Sequence, residues 1–93
     1  MIMTENINKT ADFFKALSDP TRIKILKLLL SGKNLCVGMI ALQLNITQSA
    51  VSQQLKILKT TGMVEGTKAG FNMHYRVKED VFKKYGINIS KIL

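Results

Sequence analysis

Apolar residues recur at helical spacing along most of the chain and change to a strand-like pattern only once. Ile7, Ala11 and Phe14 stand at i, i+4 and i+7, with Phe13 and Leu17 beside them and Lys9, Asp12 and Lys15 between. This spacing predicts an amphipathic helix from about Thr4 to Leu17. Ser18-Asp19-Pro20 ends it and starts the next, because Asp19 suits an N-cap and Pro20 the first helical position. The second helix covers about Pro20 to Leu30. Ile23, Leu26 and Leu30 form its expected inward stripe, with Ile25 and Leu29 adjoining and Lys24 and Lys27 outward. Gly32 reads as a stop signal. A third helix lies within about Cys36 to Leu44, on the spacing of Val37, Ile40, Ala41 and Leu44, and Asn45 can end it in a left-handed conformation. Thr47 can cap a fourth helix, from Gln48 to about Thr60, whose inward positions are Val51, Leu55 and Leu58. Gly62 ends it.

The period then shortens. Met63 to Lys68 and Met73 to Lys78 are β-compatible runs flanking Ala69-Gly70-Phe71-Asn72, a turn carrying Gly70 and Asn72, so a β-hairpin is expected. From Glu79 to Tyr85 the pattern is helical again, on Val81, Phe82 and Tyr85, until Gly86 interrupts it. The tail Ile87 to Leu93 fits neither a strand nor a helix by pattern. The fold expected is mainly α with one small β-hairpin, an α+β winged helix-turn-helix in a single domain over 1–93. The helix-turn-helix falls at about 36–60 and the wing at about 63–78.

The unit from Ile40 to Val64 is the informative one: helix, tight turn, helix, turn, strand. Two helices joined this closely cross at a steep angle, and Ala41 is small where they must approach. Ile46 plugs the turn, and Val51 and Leu55 hold the second helix on the core. Its outer face then presents Gln48, Ser49, Ser52 and Gln53. Gln can bond adenine bidentately in the major groove, and Ser can donate or accept at either base. Free N–H groups at the helix start, where Thr47 caps, suit a phosphate, and Lys56 suits a backbone contact one turn on. A polar helix face in a small protein is more often simply solvated, so composition matters here. The chain has 93 residues, 14 Lys and Arg against 6 Asp and Glu, and a net charge of +8. That excess points to polyanions, duplex DNA before an anionic membrane surface. A hairpin directly after such a unit reads as a wing along the DNA backbone or minor groove, with Lys68, Asn72 and Arg76 as its contacts. Arg22 and Arg76 are the two arginines, so lysine point charges supply most of the field.

The same composition excludes several classes. One cysteine, Cys36, makes no internal disulfide and no Cys-rich zinc site, and one histidine, His74, makes no internal catalytic metal pair. No nucleophile–base–acid set and no Gly-rich phosphate loop is present, so no enzyme and no cofactor is expected. The opening MIMTENINKT lacks the basic region and apolar run of a secretory leader, and no apolar stretch reaches membrane-spanning length. A cytoplasmic protein without membrane association is the expectation.

Leu17-Ser18-Asp19-Pro20-Thr21-Arg22-Ile23-Lys24-Ile25-Leu26 resembles the opening "L-x-D-P-T-R-x-x-I-L" segment of the ArsR/SmtB family of winged-helix transcriptional regulators. Ser49 to Leu58 is similar to that family's "S-x-V-S-x-H-L-K-x-L" recognition helix, and Gly62-Met63-Val64 with Gly70 to Tyr75 to its wing. The resemblance covers about residues 13–78. It implies a homodimer joined through the first and last helices (about 4–17 and 79–93), each recognition helix reading half of a near-palindromic operator, and commonly a repressor. The short chain independently favours a dimer, because its own core is small.

The chain also departs from that pattern. Cys36-Val37 stands where the family's Cys-Val-Cys pair begins, but the second thiolate position is Gly38 and the acid that follows is Met39. One thiolate is not a chelate, and Glu79 and Asp80 have no histidine after them, so no metal is assigned. Cys36 is expected as a buried small hydrophobe, with a thiol or redox sensor as the rival. Phe71 stands where the family often has arginine; it either packs on the wing base or forms an exposed partner surface, and groove insertion by the wing tip is not expected. Arg22 serves either a helix-surface ion pair or a phosphate contact. A winged-helix protein-interaction module is the alternative from another class. Operator, inducer and regulated genes are outside what the sequence determines.

Overall fold

The computed structural model describes residues 4–32 and 34–93, with side chains in the first helix from Ile7 onward. Met1 to Met3, part of the segment read for a leader, lie outside the described residues. The order of elements is α1 (Thr4–Leu17), α2 (Pro20–Leu29), α3 (Val37–Leu44), α4 (Gln48–Thr60), β1 (Val64–Ala69), β2 (Asn72–Val77), α5 (Glu79–Lys83) and α6 (Ile89–Ile92). The fold is thus mainly helical with one antiparallel hairpin, as the periodicity predicts.

Each boundary has a local cause. Asp19 caps α2: its Oδ1 accepts from the amides of Thr21 at 2.7 Å and Arg22 at 3.3 Å. Asn45 closes α3 at φ 55° and ψ 47°, left-handed as expected of an asparagine at that site. The inward face of α2 differs from expectation. Ile25, Leu26 and Leu29 are buried, while Ile23 and Leu30 are only half-buried. The helix touches α1, α3, α4 and β2, so its neighbours, not the strongest stripe, decide which arc is covered.

The strands shift by one residue from the predicted runs. Met63 is fully buried, and its carbonyl accepts the Lys78 amide at 2.8 Å, which closes the hairpin base outside the ladder. The ladder runs from Val64 opposite Val77 to Ala69 opposite Asn72, so the turn is only Gly70-Phe71. Gly70 has φ +64°, which a two-residue hairpin turn accepts most readily from glycine at its first central position. Asn72 therefore belongs to the strand. A short bridge adds Leu35 to the edge of β2, where the Tyr75 amide donates to the Leu35 carbonyl at 3.1 Å.

The core is formed by Ile25, Leu26, Ile40, Val51, Leu55, Leu58, Met63 and Phe82 with their neighbours from α1 and the wing base. Among the described residues it contains no buried polar or charged side chain. An aromatic cluster ties α1 to the C-terminal segment: the Phe13 ring stacks on Tyr85 at 3.9 Å and meets Phe82 edge-on at 5.3 Å. The helix predicted to reach Tyr85 ends at Lys83, because the Ile87 amide turns back to the Phe82 carbonyl while Gly86 takes φ +72°. The tail left without assignment forms the single turn α6, anchored by buried Ile89.

Candidate nucleic-acid interface

α3 and α4 are joined by Asn45-Ile46-Thr47. The Ile46 amide donates to the Ala41 carbonyl at 3.1 Å, and Thr47 Oγ1 accepts from the Ala50 amide at 3.0 Å. One cap thus ends α3 and another starts α4 within three residues. Ala41 is buried at the approach of the two helices, as its size requires. Val51, Leu55 and Leu58 fasten α4 to the core, so the opposite face is fixed in direction. Thr47, Gln48, Ser49, Ser52, Gln53 and Lys56, the six residues proposed from sequence, are all exposed on it.

A further anchor was not legible in the sequence. The Arg22 side chain is only 13% exposed. Its Nε donates to the Ala16 carbonyl at 2.7 Å, and its Nη1 donates to Gln54 Oε1 at 2.9 Å, with Asp19 at 3.6 Å. Of the two roles left open for Arg22, the ion-pair side prevails, and it is extended into a clamp. This arginine links the end of α1, the start of α2 and the middle of α4. Gln54 lies 32 residues away in sequence, and no local pattern announces that pairing.

The wing residues divide. Lys68 and Asn72 are exposed near the turn. Arg76 pairs with Glu65, its partner in the strand register, and Lys78 Nζ lies 3.9 Å from the other oxygen of that carboxylate. One acid therefore offsets two cations at the wing base. Phe71 does not pack on the wing base: it stands at the turn with 105% relative exposure, the more exposed of the two expected positions. Gly66 lies in close approach to two side chains of β2. A Cβ there would stand 2.7 Å from the Met73 methyl and 3.0 Å from the Tyr75 ring.

The wing has one further neighbour. A cleft of about 380 Å³ lies between it and the start of α3, lined by Cys36, Val37 and Gly38 with Gln48 from α4, and by Phe71, Asn72, Met73 and Tyr75 of the hairpin. Cys36 is half-buried, not buried as expected. It is the N-cap residue of α3 and sits at the lip of this cleft, where the helix start leaves its side chain partly uncovered. His74 is half-buried in the hairpin opposite Thr67. Among the described residues no three of His, Cys, Asp and Glu gather as metal ligands, and no helix is long and apolar enough to cross a membrane. Ile7 and Phe14 on α1 and Ile92 on α6 are exposed large apolar residues, all within the two segments expected at a dimer seam.

Comparison with known proteins agrees with this geometry. Residues 19–66 match the family model described as bacterial regulatory protein, arsR family. An uncharacterized helix-turn-helix-type transcriptional regulator of Methanocaldococcus jannaschii is 42% identical over 78 residues, which is 83% of this chain and 88% of that one. A transcriptional repressor SmtB homolog of Synechocystis is 33% identical over 76 residues, 82% of this chain but 57% of the longer relative. Among solved structures, the homodimeric winged helix-turn-helix DNA-binding domain of a possible ArsR-family regulator from Mycobacterium bovis superposes with TM-score 0.76 at 31% identity, covering 86% of this chain and 74% of that one.

Proposed function

The chain belongs to the ArsR family of bacterial regulatory proteins, and from that premise we propose that it is a sequence-specific, DNA-binding transcriptional repressor acting as a homodimer in the cytoplasm, with no catalysis of its own. The observation that carries this reading is α4: a helix held on the core by three buried residues, with its whole polar face exposed and capped at its start. Gln48, Ser49, Ser52 and Gln53 read base edges in the major groove. The amides behind Thr47 and the Lys56 ammonium hold phosphates. Lys68, Asn72 and Arg76 place the wing on the backbone, and Arg76 exchanges Glu65 for phosphate as it does so. A single winged-helix domain over 1–93 carries the DNA reading in this proposal, and no metal or other cofactor is assigned to it.

α1 and the segment 79–93 form the dimer seam. Exposed Ile7, Phe14 and Ile92 support that assignment, as does the homodimeric Mycobacterium bovis relative. Two-fold symmetry then places half-sites about one helical turn apart, roughly 10 base pairs centre to centre.

Selection of bound duplexes from a random pool tests the reading. Enrichment of a near-palindrome with that spacing is the expected result. Recovery of duplexes with no preference beyond bulk electrostatics would overturn it, and would favour a protein-docking role for the same surface. Within the selected sequence, Lys56→Ala weakens all duplexes alike and lowers the salt slope by about one.

A further inference from the structure

Against the expectation drawn from the missing wing arginine, we infer that Phe71, fully uncovered at the tip, is an apolar wedge that enters the minor groove beside the major groove occupied by α4, opens one base step and bends the duplex. This rests on the DNA-reading role of α4 and adds a second, uncharged contact to it. Phe71 is the second of the two residues that turn the hairpin, and its ring has no cover from the protein. Gly70 beside it has no side chain, so the tip is narrow. A minor groove about 6 Å wide admits such a tip, whereas it does not admit a helix. The tip also lies on the side of the molecule where α4 begins. Phe71, Asn72 and Met73 line a cleft whose other side is the start of α3 and Gln48, the first residue of α4, so DNA lying on Gln48 comes within a cleft's width of the wing tip.

The charges are compatible with that partner. From Gly66 to Val77 the hairpin has no acidic residue, and Lys68 and Asn72 flank the turn. Glu65 is at the far end of the ladder, paired with Arg76 and near Lys78. An apolar ring among phosphate-compatible neighbours suits DNA better than it suits an apolar protein groove. Insertion of Phe between base steps unstacks them and kinks the duplex toward the major groove, and it is least costly at flexible pyrimidine–purine steps. Phe71 therefore reads deformability, a property that the hydrogen-bonding face of α4 does not read.

The test uses the full-length protein and a duplex of about 30 base pairs taken from the selected pool, with end dyes to report bending and 2-aminopurine beside the step under the wing. Wild-type protein should bend the duplex and brighten 2-aminopurine. Phe71→Ala should abolish both signals and bind about tenfold more weakly, with an unchanged salt slope because no charge is lost. Phe71→Leu should keep most of the bend. Because the ring is uncovered, neither variant should alter thermal unfolding. An unchanged bend in Phe71→Ala, or an unbent wild-type complex, overturns the wedge while leaving the reading of α4 intact. A change of sedimentation instead of bending also overturns it, in favour of contact between copies. Gln53→Ala on the same duplex separates the two levels: if wild type and Gln53→Ala show no base preference, the reading of α4 fails, and the wedge fails with it.

Discussion

The two surfaces offered to DNA are built in opposite ways. α4 is held along its length: Val51, Leu55 and Leu58 are buried, and Arg22 bonds Gln54 from the side. Its exposed residues are uncharged over the first two turns, with Lys56 and Lys59 following toward the C-terminal end, and they leave a base fixed to the core. The wing is held only at its root, where Val64, Tyr75 and Val77 are buried, while everything from Thr67 to Met73 is exposed. Rigidity suits hydrogen-bond readout, which fails when an amide is misplaced by a fraction of its bond length. A two-stranded flap suits contacts that tolerate movement, such as phosphate charge and an apolar wedge. Under the proposed function, specificity falls to α4 and adaptable grip to the wing.

The largest expected effect attacks the anchoring itself. Leu55→Ala removes a core side chain beneath the reading face and should lower stability by about 2–5 kcal/mol, measured by denaturant unfolding. If that variant unfolds at the wild-type midpoint, α4 is not held as described. Next, Gln53→Ala should reduce discrimination at its base pair by about 1–3 kcal/mol in competition binding, with little change on non-cognate DNA. A uniform loss on every sequence would place Gln53 among the backbone contacts and dissolve the division of labour. Gly66→Ala should destabilise by about 1–3 kcal/mol, because its methyl group meets Tyr75 and Met73. That variant should weaken the wing contribution while base preference survives. The smallest effect should come from Glu65→Gln. Removing one half-buried surface carboxylate should change stability by less than about 1 kcal/mol. It should nevertheless raise DNA affinity and steepen the salt dependence, since Arg76 is released. No gain in affinity would mean that Arg76 does not reach phosphate.

Helix α4 was legible because its causes are local. Its cap, its apolar spacing and its closing residues all lie within a few positions of one another, and α4 falls on the predicted bounds. The polar face followed from the same spacing. The inward arc of α2 was less legible, since four neighbours cover that helix and period alone does not rank them. Cys36 was expected to be buried on its residue type. Its place at a helix start and at the lip of a cleft left it half-exposed.

By itself the sequence determined the order of elements, the helix-turn-helix with its capped second helix, the hairpin after it and the excess of positive charge. These depend on periodicity, turn residues and composition, which act over one to four residues or over the chain as a sum. Only the tertiary structure decided which cations are free and which are engaged. Arg22 is drawn inward to Ala16 and Gln54, and Arg76 is held by Glu65 across the ladder. It also decided that Phe71 stands uncovered at a tip that shares a cleft with Gln48 and the start of α3. Those pairings join residues distant in sequence, and no local pattern encodes a contact that exists only after the chain has folded.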